Sequence, residues 1–264
     1  MALKNKYNIL HLTDLHIFED EQGRLHNVNT RKSFEAVLAQ ISQDGIEPDC
    51  LLLTGDLSHD EKLGGYNYLF KKITDQFDCP ICSIPGNHDQ VSLIDPLLAD
   101  MGRENHRTLP IGNFQIILLN SQLLGSESGE LASTELSFLE QTLEESSAEH
   151  IIICLHHHVY PMGSMWLDRL KLQNSDDLLQ ILFLDDRIRL VICGHVHQDN
   201  SQAHDGITYL STAATCFQFK PLCGAFELDT LMPGYRWLEL EESGEFSTQV
   251  RRIEYRPEWD PYSI

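Results

Sequence analysis

Cys50-Leu51-Leu52-Leu53-Thr54-Gly55-Asp56 is an unbroken apolar run that stops on a glycine and a carboxylate. Its length suits a buried strand, and the next patterned stretch, Tyr66 to Phe77 with Leu69, Phe70 and Ile73 on one side, has helical spacing. The unit is strand, polar turn, helix, and it recurs in both directions. Upstream, Tyr7 to Thr13 precedes Asn29 to Gln43, whose Phe34, Val37, Leu38 and Ile41 share a face. Downstream, Ile81 to Ile84 closes on Pro85-Gly86 and leads to a short helix from Ser92 to Met101, where Pro96 is expected to be tolerated only near the start.

The middle of the chain continues the pattern. Phe114 to Asn120, Ile151 to Leu155 and Leu190 to Cys193 read as strands. A helix capped by Ser133 or Thr134 runs to about Glu145, and another lies around Asp176 to Leu184. From about residue 205 the character changes: Ile207 to Ser211, Gly224 to Leu228, Tyr235 to Leu240 and Phe246 to Ile253 look like successive strands of an antiparallel stretch. Arg256 to Ile264, with two prolines, reads as an extended tail. Strand-like runs recur over the whole length with no low-complexity linker, so residues 1–264 are expected to form one unit, with two mixed sheets packed face to face and helices outside.

With 19 Lys+Arg against 40 Asp+Glu, the net charge of −21 repels phosphate backbones and argues against a nucleic-acid groove. A small anionic ligand would need local positive charge, which bound divalent cations can supply. Seven cysteines, an odd number, do not suggest a secreted disulfide framework; Cys79-Pro80-Ile81-Cys82 leads into an apolar strand with no second pair at zinc-ribbon spacing. Met1 to Tyr7 lacks the apolar core of a secretory signal, and no run approaches the roughly 20 apolar residues of a membrane span. A cytoplasmic protein with no membrane partner is expected.

Five short polar motifs each follow a strand: Asp14-Leu15-His16, Gly55-Asp56, Gly86-Asn87-His88-Asp89, His156-His157-His158 and Gly194-His195-Val196-His197. In α/β sheets the strand C-terminal ends are where ligands collect. Residues two apart on an extended backbone point to one side, so Asp14 with His16, and His195 with His197, can reach a common centre. Glycines before Asp56, Asn87 and His195 permit sharp turns and close approach to an ion. Carboxylate, imidazole and amide oxygen without thiolate suit manganese, iron or zinc. Seven candidate ligands exceed one tetrahedral ion and fit two ions sharing a carboxylate, for which Asp56 is the choice. Two ions roughly 3.5–4 Å apart are suited to phosphate ester cleavage, clamping the phosphoryl oxygens of an in-line displacement. His11, His26, His106, His150 and His204 read as surface or packing residues, and His59 and Asp60 as candidates to orient the ligands.

The order Asp-x-His, Gly-Asp, Gly-Asn-His-Asp, His-His and Gly-His-x-His resembles the calcineurin-like metallophosphoesterase superfamily. Within it the chain is similar to the bacterial 3′,5′-cyclic AMP phosphodiesterases, over Asn27 to Thr30, Ser164 to Asp168, Gly194 to Gln198 and Thr215 to Pro221. The resemblance implies a four-layer α/β/β/α sandwich. It also implies one divalent metal ion on Asp14, His16, Asp56 and His197 and a second on Asp56, Asn87, His156 and His195, with His157 an alternative to His156. By the same resemblance His88 is the catalytic residue beside the leaving oxygen, a cyclic nucleotide is the small-molecule substrate, and His16, Asp56, Asn87, His88 and His197 contact it. One departure is Val159, where family members commonly have proline directly after the histidine run. The metal motifs are shared by enzymes acting on glycerophosphodiesters, nucleotide-sugars and phosphomonoesters. A non-catalytic module would show eroded ligands, whereas every position is filled here.

Overall fold

The structure is a computed structural model and describes residues 4–254. Among the described residues, eleven strands build two sheets. They are β1 (Lys6–Leu12), β2 (Cys50–Thr54), β3 (Ile81–Ile84), β4 (Thr108–Ile111), β5 (Phe114–Leu118), β6 (His150–Leu155), β7 (Ile188–Cys193), β8 (Asn200–His204), β9 (Ile207–Ser211), β10 (Gly234–Glu241) and β11 (Phe246–Arg252). The first sheet runs β11-β10-β1-β2-β3 and the second β8-β9-β7-β6-β5-β4. Strands β1, β2 and β3 are mutually parallel, as are β5, β6, β7 and β9, while β10, β11, β8 and β4 pair antiparallel, so both sheets are mixed. Five α-helices among the described residues cover them: α1 (Thr30–Asp44), α2 (Leu63–Gln76), α3 (Val91–Asp100), α4 (Ser133–Glu145) and α5 (Ser175–Leu182).

The alternation within each strand sorts the core into layers, because successive side chains leave a strand on opposite faces. Leu51 and Leu53 pack with Phe34, Leu69, Phe70 and Ile94 of the first three helices. Cys50 and Leu52 turn the other way, onto Ile116, Ile152 and Ile192 of the second sheet. Ile151, Ile153 and Leu155 of β6 then meet Leu139, Leu143, Leu178 and Leu182 of α4 and α5. The result is the expected α/β/β/α sandwich. Fully buried parallel strands have no polar face, which is why the run at Cys50 is apolar throughout.

Several expectations need correction. The strands after residue 205 are not one antiparallel stretch: β9 lies parallel to β7 in the second sheet, whereas β10 and β11 complete the first. Of Gly224 to Leu228 only Leu228 is in a strand, in a two-residue pairing of Gln218–Phe219 with Leu228–Asp229. The partner of β9 is β8, whose polar sequence and half-exposed edge position hid it. Pro96 sits in the second turn of α3, not near its start; it is exposed, so the helical bond it removes lies on the solvent side. The residue flanking α4 is Ala132, with Ser133 and Thr134 inside the helix. Arg256 to Ile264 falls outside the described residues.

Candidate metal centre

Parallel strands place their C-terminal ends along one edge, and each motif leaves the sheets there. Asp14 and His16 follow β1, Asp56 follows β2, Asn87 and His88 follow β3, His156 follows β6, and His195 and His197 follow β7. The backbone does not stay extended, as the pairwise reading assumed. Asp14, His16, Asp56, His195 and His197 all adopt left-handed conformations, with φ of 51, 48, 50, 67 and 47°. Such φ values cost a non-glycine residue about 1–2 kcal/mol each, and their concentration in five of the seven candidate ligands marks this edge as the strained, functional part of the fold. Tight bends, not the pleat, turn Asp14 and His16 to one centre.

The loops hold one another in place. The backbone N–H groups of Leu15 and His16 donate to the Asp56 carbonyl at 2.8 Å, and that of His195 donates to the Asp14 carboxylate at 3.0 Å. Asp89, buried, accepts from the N–H groups of Leu57, Ser58 and Gly86 and from the Tyr66 hydroxyl, stapling the β2 and β3 loops together. Its carboxyl is pushed up to about 6 by burial and by the neighbouring Asp56 charge. At Gly86 a β-carbon would lie 2.2 Å from Asp56 Oδ1, so only glycine allows this approach.

Two buried sets of donors meet at Asp56. On one side His197 Nε2 lies 3.4 Å from Asp14 Oδ1 and 3.3 Å from His16 Nε2, and His16 Nε2 lies 3.6 Å from Asp56 Oδ2. On the other, Asp56 Oδ2 is 3.5 Å from His156 Nε2, which is 3.2 Å from Asn87 Oδ1, itself 3.1 Å from His195 Nδ1. The second nitrogens fix the tautomers: His197 Nδ1 is 2.9 Å from the Phe217 carbonyl and His156 Nδ1 is 2.7 Å from that of Thr54. A carbonyl accepts only, so each Nδ1 carries a proton, and in the neutral ring each Nε2 presents a lone pair inward.

The electrostatics fit a cation. Burial holds His16 and His195 well below the ordinary imidazole range, in the neutral form a metal requires. His156 differs: burial lowers it, but the Asp56 carboxylate outweighs that and raises it to about 9. Burial pushes Asp56 up in turn, yet His156, His16 and His88 hold it well below the carboxylate range. A proton on His156 thus sits where the carboxylates call for positive charge. His195 Nε2 is buried without a hydrogen-bond partner among the described residues, a costly state for a polar atom unless something else satisfies it.

The two sets form the floor of a cavity of about 260 Å³. His16, Asp56, Asn87, His88, His195 and His197 line it, while Asp14 and His156 are buried behind. Beside these residues the lining is aromatic, from Trp166, Phe217, Phe219 and Phe226, with Phe217 and Phe219 against His197.

Residues 7–199 match the calcineurin-like phosphoesterase family. The chain belongs to that family. It is similar to the 3′,5′-cyclic adenosine monophosphate phosphodiesterase CpdA of Haemophilus influenzae, with 38% identity over 96% of this chain and 92% of the relative. It is also similar to the 3′,5′-cyclic-nucleotide phosphodiesterase alr5338 of a Nostoc species, with 32% identity over 97% and 96%. Among solved structures, a dimetal phosphatase from Danio rerio shares the fold with a TM-score of 0.62, at 14% identity over 95% of this chain and all of the other.

All seven residues anticipated as ligands for this calcineurin-like phosphoesterase converge, and His88 stands beside them, half-buried, with its backbone N–H on Asp56 Oδ1 at 3.0 Å. His157 has its Nδ1 2.8 Å from Ser121 Oγ, and its Nε2 is buried without a hydrogen-bond partner among the described residues, in a group with His156 and His195. His158 is buried against His195, and Val159 joins the core beneath α4 and α5. His59 reaches His16, Nδ1 to Nδ1 at 3.3 Å, whereas Asp60 braces the loop at Glu19 and Ser58. Of the histidines set aside, His11 is a core residue, and His26 is exposed at the surface while also lining the cavity. The aromatic wall was missed as a functional feature. Two of its pieces lie in the stretches Ser164 to Asp168 and Thr215 to Pro221 that carried the resemblance, and Phe226 was read as strand interior.

Proposed function

We propose that the chain hydrolyses 3′,5′-cyclic AMP to 5′-AMP. The observation that carries this reading is Asp56 Oδ2 standing between His16 Nε2 and His156 Nε2, which joins two buried donor sets under a cavity of nucleotide scale. The similarity to relatives named for cyclic-nucleotide hydrolysis supports the substrate.

Asp14, His16, Asp56 and His197 would hold one divalent ion, and Asp56, Asn87, His156 and His195 the other, manganese, iron and zinc suiting the donors. Bound there, the ions would neutralise phosphoryl oxygens and make water a nucleophile near neutral pH. The protein's own part is placement and proton transfer. The carbonyls of Thr54 and Phe217 keep the His156 and His197 lone pairs aimed inward. His88 lines the cavity where it can hold a proton for the departing 3′ oxygen. Water adds to phosphorus, the P–O3′ bond breaks, the proton passes to O3′, and the ring opens to a 5′-monophosphate.

The test offers the metal-loaded protein cyclic AMP beside a glycerophosphodiester, a nucleotide-sugar and a phosphomonoester at matched concentration. The expected product is 5′-AMP, formed faster than any other. Faster turnover of one of the others would replace the substrate.

A further inference from the structure

The cavity has two chemically unlike walls, and only the ionic one is used by the reaction. The other is built from three segments distant in sequence: Leu25 and His26 of a small hairpin that pairs Arg24–Leu25 with Val28–Asn29, the stretch from Trp166 to Leu170, and the Phe217 to Phe226 segment. Trp166, Phe219 and Phe226 are in mutual contact, with ring centroids 5.1, 5.2 and 5.4 Å apart and interplanar angles of 71–79°. Phe219 also stacks on His197, 4.1 Å between centroids and 17° from parallel, so the aromatic wall begins one ring away from the donor sets. Phe226 remains 47% exposed although it is a phenylalanine lining a cavity. A large apolar face held open beside a polar centre is a feature that binding sites have and packing cores do not.

We infer that Trp166, Phe219 and Phe226 form a nucleobase subsite in which the open face of Phe226 stacks on the base of the substrate. The inference rests on the reading above, that the donor sets receive a nucleotide's phosphate. An aromatic base has a π-face whatever its edge pattern, so stacking recognises the class of ligand. A glycerophosphodiester engages the floor and leaves this wall unused, and the wall therefore selects nucleotides over other small phosphodiesters.

The experiment measures equilibrium binding of 5′-AMP and of ribose 5-phosphate to the metal-loaded protein by calorimetry, together with steady-state turnover of cyclic AMP. The variants are Phe226→Ala and the conservative Phe226→Trp; Phe226 lies in a half-exposed loop, so both should fold. Wild type should bind 5′-AMP at least about 10-fold more tightly than ribose 5-phosphate. Phe226→Ala should weaken 5′-AMP by about 5-fold to 100-fold with ribose 5-phosphate unchanged, raise KM more than it lowers kcat, and be rescued by Phe226→Trp. Equal affinity for the two ligands in wild type, or equal weakening of both in Phe226→Ala, would overturn the subsite. Base-dependent binding without cyclic AMP turnover would instead remove the proposed reaction and leave the subsite standing.

Discussion

His156 Nδ1 lies 2.7 Å from the carbonyl oxygen of Thr54, and this hydrogen bond crosses from one sheet to the other. Thr54 ends β2 in the first sheet and His156 follows β6 in the second. The same contact that ties the two layers together at their C-terminal edge fixes the imidazole tautomer and aims Nε2 at Asp56 and Asn87. Fold and site are coupled here, because any slip between the sheets would misdirect a ligand.

His156 and His157 are adjacent, yet only His156 faces both Asp56 and Asn87, while His157 is engaged by Ser121. His156→Ala should lower bound metal by about one ion per chain and reduce turnover at least about 100-fold. His157→Ala should retain both ions. Metal analysis of the two purified variants decides the assignment, and the reverse pattern would exchange the two roles.

Asp56 stands between both donor sets, so Asp56→Ala should lose both ions, whereas Asp14→Ala should lose one. Full occupancy in Asp56→Ala would show that the bridge is elsewhere.

His88 lines the cavity without belonging to either donor set that meets at Asp56. His88→Ala should keep the metal content of wild type and lower turnover by about 10²–10⁴-fold, the range of a lost acid or base. If metal falls in step with turnover, His88 is a ligand and its proton role is withdrawn.

Much of this edge was legible because buried parallel strands are mostly apolar, so clusters of glycine, histidine and carboxylate stand out where the strands end. Cys50 to Asp56 shows both facts within seven residues. What was not legible depends on tertiary choice. Ile207 to Ser211 has the pattern of a strand, but nothing local says that it joins β7 in parallel instead of its neighbours in an antiparallel run. Asn200 to His204 is polar because it is an exposed edge, and its pairing comes from β9 alone. The left-handed bends at Asp14 and His16 fall on residues other than glycine, so no glycine announces them. Trp166, Phe219 and Phe226 meet only once the chain is folded.

Gly86 offers a steric test of the Asp56 position. Its replacement by alanine places a methyl group 2.2 Å from Asp56 Oδ1 and 2.4 Å from its backbone nitrogen, and backbone cannot step aside cheaply. Gly86→Ala should cost about 1–3 kcal/mol and lower metal affinity with it. Gly206→Ala is the control: it has φ of +85° but open space around it, so only backbone strain of about 1 kcal/mol is expected and metal binding should be intact. Urea denaturation with parallel metal titration measures both, and equal behaviour of the two variants would refute the crowding argument.

Acid sensitivity of the fold has a source beyond the donor sets. His11 is fully buried in β1, with Nε2 2.7 Å from Thr54 Oγ1 and Nδ1 3.0 Å from Thr212 Oγ1, and Arg236 donates to the same Thr212 oxygen at 2.7 Å. Burial, and then the Arg236 charge, lower the imidazole to about 3. The unfolded chain therefore takes up a proton at His11 as pH falls below about 6.5, while the folded chain does not until about 3. More protons on the unfolded state mean stability that rises with pH, so this one residue should remove about 1.4 kcal/mol per unit as pH drops through that window. Above 6.5 both states are neutral and the dependence vanishes. Urea unfolding of wild type and His11→Gln at pH 7, 6 and 5 isolates the effect, since the glutamine keeps hydrogen-bonding capacity without titrating. Wild type should lose stability more steeply than the variant on acidification, whatever the variant loses at pH 7. Parallel slopes would mean that His11 is charged in the fold, and the Thr212 and Arg236 network would then have to be accepting an imidazolium.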